Sequence, residues 1–244
     1  MKWLAFLCLG FTCTCSCNPQ PNSTSSNPDS CAYLPASRPT VTQMVGDYNL
    51  SVYPVGATDF EKQSKLYGAK MIEPSIGNYE SAKNMIGKRV RFKKISLHGA
   101  DQYLLRHIDM EDLPVEFSKR GLPLYFYAYF PKSNVLSLVD SLSTDYTIDL
   151  SSGNTTDLIG NPEYTRNNPD GSWRIIGAYD GEGCVWYTLQ FKDGKKYLPF
   201  TALNFLNLCS MTDYFWISRD VLYYSTQDDS LGLTSFYKLI IDKY

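Results

Sequence analysis

The chain has 244 residues, 43% of them hydrophobic, which is enough to bury a sizeable core and favours one domain over two small ones. Its formal net charge of −2 gives no basic excess, which argues against bulk electrostatic attraction to nucleic acid. We therefore expect no nucleic-acid partner. A local basic cluster at residues 88–94 alternates with apolar residues, as on a solvated strand face, with an anion site as the alternative.

The N-terminus has the pattern of an export signal. Lys2 is followed by an apolar run, residues 3–11, which is too short to span a bilayer but has the length of a signal-peptide core. We predict that residues 1–16 are removed and that the protein is exported. Residues 17–40, rich in Asn, Pro, Ser and Thr, are predicted to form a disordered tether before a single β-rich domain at residues 41–244.

The end of the apolar run carries a family resemblance. In Thr12-Cys13-Thr14-Cys15-Ser16-Cys17 the chain resembles the signal of a bacterial lipoprotein, in which a small residue precedes a cysteine that is lipidated after cleavage. The resemblance implies lipidation of Cys17, or of Cys15 as second choice, and attachment to a membrane of the bacterial cell envelope. The usual Leu three residues before the cysteine is missing. The alternative is an ordinary secretory signal and a secreted protein.

The first part of the domain mixes strands with a helix. Met44–Tyr53 has strand periodicity, with Gly46 at its entrance. Asn78 is a suitable cap for a short helix that Gly87 would end. The pattern then predicts a strand over Lys88–Leu97.

The central part of the chain is rich in aromatic residues. Leu122–Phe130 is a predicted strand, with Phe126, Ala128 and Phe130 facing the core. Three tyrosines face the other way and form either a polar-tipped surface or a ligand-binding surface: Tyr125, Tyr127 and Tyr129. Asn134–Ser143 has helical spacing, and residues 151–172 have the composition of a long, turn-rich connection.

The last third alternates short aromatic runs with turn residues, which indicates an antiparallel meander. Asp193-Gly194 predicts a type I′ hairpin. Trp186 and Trp216 lie in these runs and are further candidate ligand-binding residues. The strand predictions are Trp173–Tyr179, Cys184–Lys192, Lys195–Phe200, Tyr214–Ile217, Val221–Ser225 and Thr234–Ile241. The expected fold is mainly β, a meander that closes into a barrel or a sandwich with one to three short helices.

Two strand ends resemble those of a lipocalin-type (calycin) β-barrel, whose first strand opens with Gly-x-Trp and whose last strand commonly ends in an aromatic and a basic residue. Here those places are held by Gly46-Asp47-Tyr48 and Phe236-Tyr237-Lys238, with Tyr in place of Trp. The resemblance implies a barrel that closes between these strands and encloses a small ligand.

Three of the seven cysteines remain once the signal and anchor are discounted. An oxidising compartment makes a Cys184–Cys209 disulfide plausible, with Cys31 free or paired elsewhere. No Cys-x-x-Cys pair remains in the mature chain, so a cysteine zinc site loses support, and no cofactor is expected.

Residues that could perform catalysis are few. His107, Asp109 and Glu111 share one face of an extended segment and could support acid–base chemistry, but their spacing matches no zinc-helix motif. Common nucleotide-binding and α/β-hydrolase motifs are absent from the sequence. We therefore favour non-enzymatic binding of a small apolar ligand, a glycan or an envelope protein. The alternative is an envelope hydrolase built on these three residues.

Overall fold

The computed structural model describes residues 39–68, 73–97, 99–110, 123–200, 209, 211–228 and 231–244. The predicted signal peptide and nearly all of the predicted tether lie outside these residues. The strands are β1 Val41–Val45, β2 Tyr48–Pro54, β3 Val90–Leu97, β4 Ala100–Ile108, β5 Tyr125–Phe130, β6 Val135–Val139, β7 Asp145–Asp149, β8 Arg166–Asn167, β9 Trp173–Tyr179, β10 Val185–Asp193, β11 Lys196–Pro199, β12 Met211–Trp216, β13 Val221–Asp228 and β14 Leu233–Lys243. The helices are α1 Ala57–Tyr67, α2 Tyr79–Ile86, α3 Thr156–Ile159 and a 3₁₀ turn, Pro162–Tyr164.

The prediction of a mainly β, antiparallel fold with a few short helices is confirmed. The described strands form three sheets. The first has the order β1-β2-β14-β13-β12, the second β11-β10-β9-β8 and the third β3-β4-β5-β6-β7. The sequence allowed a barrel or a sandwich. The described strands fit a sandwich, because they form three open sheets rather than a closed barrel. No helix in these residues is long and apolar enough to cross a membrane.

The first and second sheets pack face to face around the larger core. Tyr48 contributes to it edge-on, with its ring centroid 5.0 Å from that of Trp173 and 6.0 Å from that of Phe200. The fully or nearly fully buried members from the two sheets include Leu50, Val52, Ile175, Leu189, Leu222, Leu239 and Ile241. Alternate residues of each strand supply this core, which is the periodicity the sequence shows.

The strands that resemble the lipocalin ends lie side by side. β2 pairs with β14, so that Tyr48 lies opposite Lys243 and Pro54 opposite Tyr237. The strand predicted over Met44–Tyr53 corresponds to β2, but its start was misplaced: Met44 and Val45 belong to β1, and the two strands form a hairpin that turns at Gly46, whose φ is +57°. Gly46 thus adopts the left-handed conformation that a tight turn requires and that glycine adopts without strain.

Helix α1 covers the outer face of the first sheet through a single buried side chain, Phe60. Helix α2 covers one face of the third sheet through Ala82 and Ile86. The predicted cap of α2 is confirmed, because the Asn78 Oδ1 accepts a hydrogen bond of 3.1 Å from the Ser81 N–H. The helix ends at Gly87, as predicted.

The predicted helix at Asn134–Ser143 is wrong. The segment contains β6, which lies between β5 and β7 in the third sheet. Residues Val135 to Leu138 are all buried, because core lies on both faces of the sheet here. A strand buried on both faces has no alternation of polar and apolar residues, so its pattern is easily mistaken for a helix.

The connection at residues 151–172 holds α3, the 3₁₀ turn and β8, and it packs against β9. The approach is close: a Cβ added at Gly160 would lie 2.8 Å from the Ile176 Cβ, and one at Gly177 would lie 2.8 Å from the Tyr164 Cβ. Only residues without a side chain fit at these two points. They allow the connection to rest directly on the second sheet.

The predicted strands of the last third correspond to β9–β14. At the β10–β11 hairpin Asp193 pairs with Lys196, and of the two central residues only Gly194 has a positive φ, +58°. That is the pattern of a type II′ turn rather than the predicted type I′. The predicted disulfide between Cys184 and Cys209 is confirmed.

Candidate functional site

A groove of about 670 Å³ opens beside the N-terminus of α2, at one end of the third sheet. Four separate segments of the chain contribute to its wall. They are the start of α2, the β3–β4 hairpin, the start of β5 and the turn after β6. The lining residues include Asn78, Tyr79, Asp101, Gln102, Tyr103, Tyr125, Phe126, Asp140, Ser141 and Ser143.

One wall of the groove is aromatic. The ring centroid of Tyr79 lies 4.6 Å from that of Tyr103 and 5.5 Å from that of Phe126. Phe92 supports these rings from below, at 4.8 Å from Tyr79 and 5.8 Å from Phe126. Centroid separations in this range are typical of favourable aromatic pairs, so the rings fix one another in place.

Two tyrosines of the groove, Tyr79 and Tyr103, remain neutral at physiological pH because their pKa values are raised. Burial raises the pKa of Tyr79 above its ordinary value. Partial burial and the neighbouring Glu80 carboxylate raise the pKa of Tyr103. Both hydroxyl groups therefore stay protonated. The Tyr103 hydroxyl is hydrogen-bonded to the Glu80 carboxylate, and the Tyr79 hydroxyl can donate a hydrogen bond as well as accept one.

The polar side of the groove is held by internal hydrogen bonds and an ion pair. Asp140 Oδ1 accepts from the backbone N–H groups of Leu142 (2.8 Å) and Thr144 (3.0 Å), which fixes the turn after β6. Asp101 Oδ2 lies 2.7 Å from the Lys94 Nζ in an exposed ion pair. The groove thus combines fixed apolar ring surfaces with carboxylate, amide and hydroxyl groups.

The three candidate tyrosines of β5 do not share a face. A β-bulge between Phe126 and Ala128 inserts Tyr127 as an extra residue and breaks the alternation. Tyr125 lines the groove, whereas Tyr127 is 45% exposed elsewhere on the strand. Tyr129 is 4% exposed and its hydroxyl donates to Asn134 Oδ1 at 2.8 Å. Tyr129 is therefore inaccessible to a surface ligand in the folded protein.

The two candidate tryptophans also differ. Trp216 lies in the sandwich core, where its Nε1–H donates to the Arg166 carbonyl oxygen at 3.2 Å. That position excludes it from a surface site. Trp186 is 63% exposed, and its Nε1–H donates to Asp180 Oδ2 at 2.9 Å.

The residues of the hydrolase alternative are only partly described. Glu111 lies outside the described residues. His107 and Asp109 are exposed and line a broad surface depression of about 790 Å³ together with Lys88 and Arg91. Among the described residues, no group of three or more His, Cys, Asp or Glu side chains is placed to hold a metal ion.

A buried carboxylate that the sequence reasoning missed lies at the start of β7. Asp145 Oδ2 accepts from the Tyr179 N–H at 2.9 Å and from Asn161 Nδ2 at 3.1 Å. Burial raises the pKa of Asp145, although these two hydrogen bonds oppose the shift. Because its partners belong to β9 and to the connection, Asp145 joins the third sheet to the second. An alternating strand pattern in the sequence gives no sign of this.

Comparisons of the chain with protein-family models, with curated proteins and with solved structures found no match. A function is therefore inferred from two observations, the geometry of the groove and the sequence pattern of the N-terminus.

Proposed function

We propose that this protein is a lipid-anchored protein of the bacterial cell envelope that binds a glycan in the groove beside α2, without catalysing a reaction. The observation that carries the proposal is the lining of the groove. Half-buried rings of Tyr79, Tyr103 and Tyr125 stand beside Asp101 and Gln102. This gives apolar surfaces and hydrogen-bonding groups in one concave site.

A sugar ring has the complementary chemistry. Its C–H groups form apolar patches that stack on aromatic rings, while its hydroxyl groups donate and accept hydrogen bonds around the edge. Tyrosine serves both needs because its ring is apolar and its hydroxyl is polar. The polar groups of the groove give a glycan an advantage over a purely apolar ligand, which cannot form hydrogen bonds with Gln102 or with Asp101, whose carboxylate already pairs with Lys94.

The test is a glycan array, followed by titration calorimetry of the oligosaccharides that bind. Tyr125→Ala should weaken binding about tenfold, because it removes a stacking surface and its buried area. Tyr127→Ala is the matched control, since Tyr127 is an exposed tyrosine of the same strand outside the groove lining. Equal affinities for wild type and Tyr125→Ala would refute the location of the site.

A further control separates binding from catalysis. His107→Ala should leave glycan affinity unchanged, because His107 lies in the other depression. The products of prolonged incubation with each bound oligosaccharide should be identical to the starting material. Cleavage that is lost in His107→Ala or Asp109→Ala, with the fold retained, would instead support the envelope hydrolase.

The proposed anchor rests on the lipoprotein-like sequence around Cys15 and Cys17 and on the composition of the tether. The Cys184–Cys209 disulfide is compatible with an oxidising compartment. Wild-type protein should partition into the detergent phase, because several acyl chains at about 0.8 kcal/mol per buried CH₂ hold it in a membrane. Replacing both cysteines by Ser should move the protein to the aqueous phase. A double variant that remains in the detergent phase would contradict the anchor.

A further inference from the structure

The turn at residues 140–144 separates the groove from a second exposed aromatic side chain. Asp140, Ser141 and Ser143 belong to the wall of the groove. On its other side the turn contacts the loop after β9: the Thr144 Oγ1 donates to the Asp180 carbonyl oxygen at 3.1 Å. One short turn therefore lies between the groove and that loop.

The turn and the loop after β9 fit closely together. A Cβ added at Gly181 would lie 2.4 Å from the Thr144 Oγ1 and 2.9 Å from the Leu142 carbonyl oxygen. Gly181 also has a φ of +83°, which a side chain would strain. The relative placement of the groove wall and this loop is thus fixed by direct backbone packing.

Asp180 holds Trp186 in one orientation beside the turn. Its Oδ1 accepts from the N–H groups of Glu182 (2.8 Å) and Cys184 (3.1 Å), and its Oδ2 accepts from the Trp186 indole. Cys184 is in turn tied by the disulfide to Cys209. An exposed ring on a fixed support loses little conformational entropy on binding, which is the property of an effective aromatic contact.

The chemistry that Trp186 offers is narrow. Its indole N–H is already used by Asp180, so the exposed part of the ring presents π faces and C–H edges. The residue opposite it on β9 is the small Ala178, and the described pairing of β11 with β10 begins only at Gln190. The ring is therefore left open to a ligand that stacks.

We propose that Trp186 is a second subsite of the same glycan-binding surface, so that the ligand is an oligosaccharide that fills the groove and continues across the 140–144 turn to stack a further sugar ring on the indole. This inference rests on the proposed function. It makes affinity depend on oligosaccharide length, with a gain when the chain becomes long enough to reach Trp186.

The test measures affinity against length in two defined series, β-1,4-linked N-acetylglucosamine oligomers and α-1,4-linked glucose oligomers of two to seven units. Trp186→Ala should leave the affinity for disaccharides unchanged and lower that for the longest oligomers about tenfold. Trp186→Phe should recover part of the loss, because it keeps an aromatic face. Leu233→Ala is the control, since Leu233 is 60% exposed and belongs to the first sheet.

The outcomes distinguish the inference from the proposed function. If Trp186→Ala weakens short and long oligomers equally, or weakens neither, the second subsite is refuted while groove binding stands. If neither series binds the wild-type protein at any length, the proposed function and this inference both fail. If Tyr125→Ala weakens every length and Trp186→Ala only the long ones, both are supported.

Discussion

Replacing Phe60 by Ala tests the view that α1 is held to the first sheet mainly by one buried ring, beside a hydrogen bond of 3.1 Å from the Tyr223 hydroxyl to Asp59 Oδ2. Phe60 is 5% exposed and is the only buried residue of α1. Its ring centroid lies 4.8 Å from that of Phe236 and 5.2 Å from that of Phe215. Burial of one such ring is worth about 1.5–3 kcal/mol, and the cavity left behind raises the usual cost of Phe→Ala to about 3–5 kcal/mol. Because α1 lies at the surface and can detach, we expect about 3 kcal/mol.

The loss should be accompanied by melting of the helix itself. Eleven residues form a marginal helix in water, so α1 depends on its contact with the first sheet. Hydrogen exchange of peptides from residues 57–67 should therefore become fast in Phe60→Ala while exchange in the sheet strands stays slow. Denaturant unfolding, followed by far-ultraviolet circular dichroism, gives the free energy of unfolding.

The matched control is Leu66→Ala in the same helix. Leu66 is 66% exposed, and Ala is a good helix former, so the free energy of unfolding should change by less than about 0.5 kcal/mol. A cost below about 1 kcal/mol for Phe60→Ala, with exchange in α1 unaltered, would show that the helix is held by contacts other than this ring.

Three further predictions concern the second and third sheets and the connection between them. Gly177→Ala should destabilise by about 1–3 kcal/mol in urea unfolding, because the new methyl group would lie 2.8 Å from the Tyr164 Cβ and the Tyr187 ring. The control is Gly77→Ala, whose new methyl group would have no atom of the described residues closer than 4.0 Å, so this variant should be neutral or stabilising. Ser137→Ala should raise the melting temperature or leave it unchanged, because the fully buried Ser137 Oγ has no hydrogen-bond partner among the described residues; a lower melting temperature would contradict this. Burial raises the pKa of Asp145, so the folded state binds the carboxyl proton more tightly than the unfolded chain does. The contribution of Asp145 to the free energy of unfolding therefore falls as pH rises through the raised pKa. The stability of wild type relative to Asp145→Asn should accordingly decrease from pH 3.5 to 7, as measured by urea unfolding, and an increase over that range would reverse the sign of the argument.

Alternation of side chains made the sandwich strands predictable from the sequence. In β10, Tyr187, Leu189 and Phe191 face the core of the sandwich, which is the alternation that the sequence shows. Gly194 marked the hairpin position, although not its turn type. Asn78 and Gly87 marked both ends of α2 because caps act through local backbone hydrogen bonds.

The elements that were missed or mistaken have patterns that the local sequence does not decide. Helix α1 shows no apolar stripe because only Phe60 is buried. Strand β6 shows no alternation because both of its faces are buried. The bulge at Tyr127 adds one residue to β5, and nothing in a run of alternating aromatic residues shows where such an insertion falls.

The groove could not be predicted as a site because its walls are distant in the chain and meet only through strand register. Tyr125 lies opposite Leu104 of β4 and Val139 of β6, so residues near positions 103, 125 and 140 become neighbours. A slip of one residue in this pairing would turn Tyr125 to the other face of the sheet. The bulge lies between Tyr125 and Tyr129 and shifts the alternation after Phe126, so that Tyr129 lies on the same face as Phe126 and enters the core beside Leu136 and Leu138. Tyr125 precedes the bulge and lines the groove, so one inserted residue separates a tyrosine of the candidate site from a tyrosine of the core.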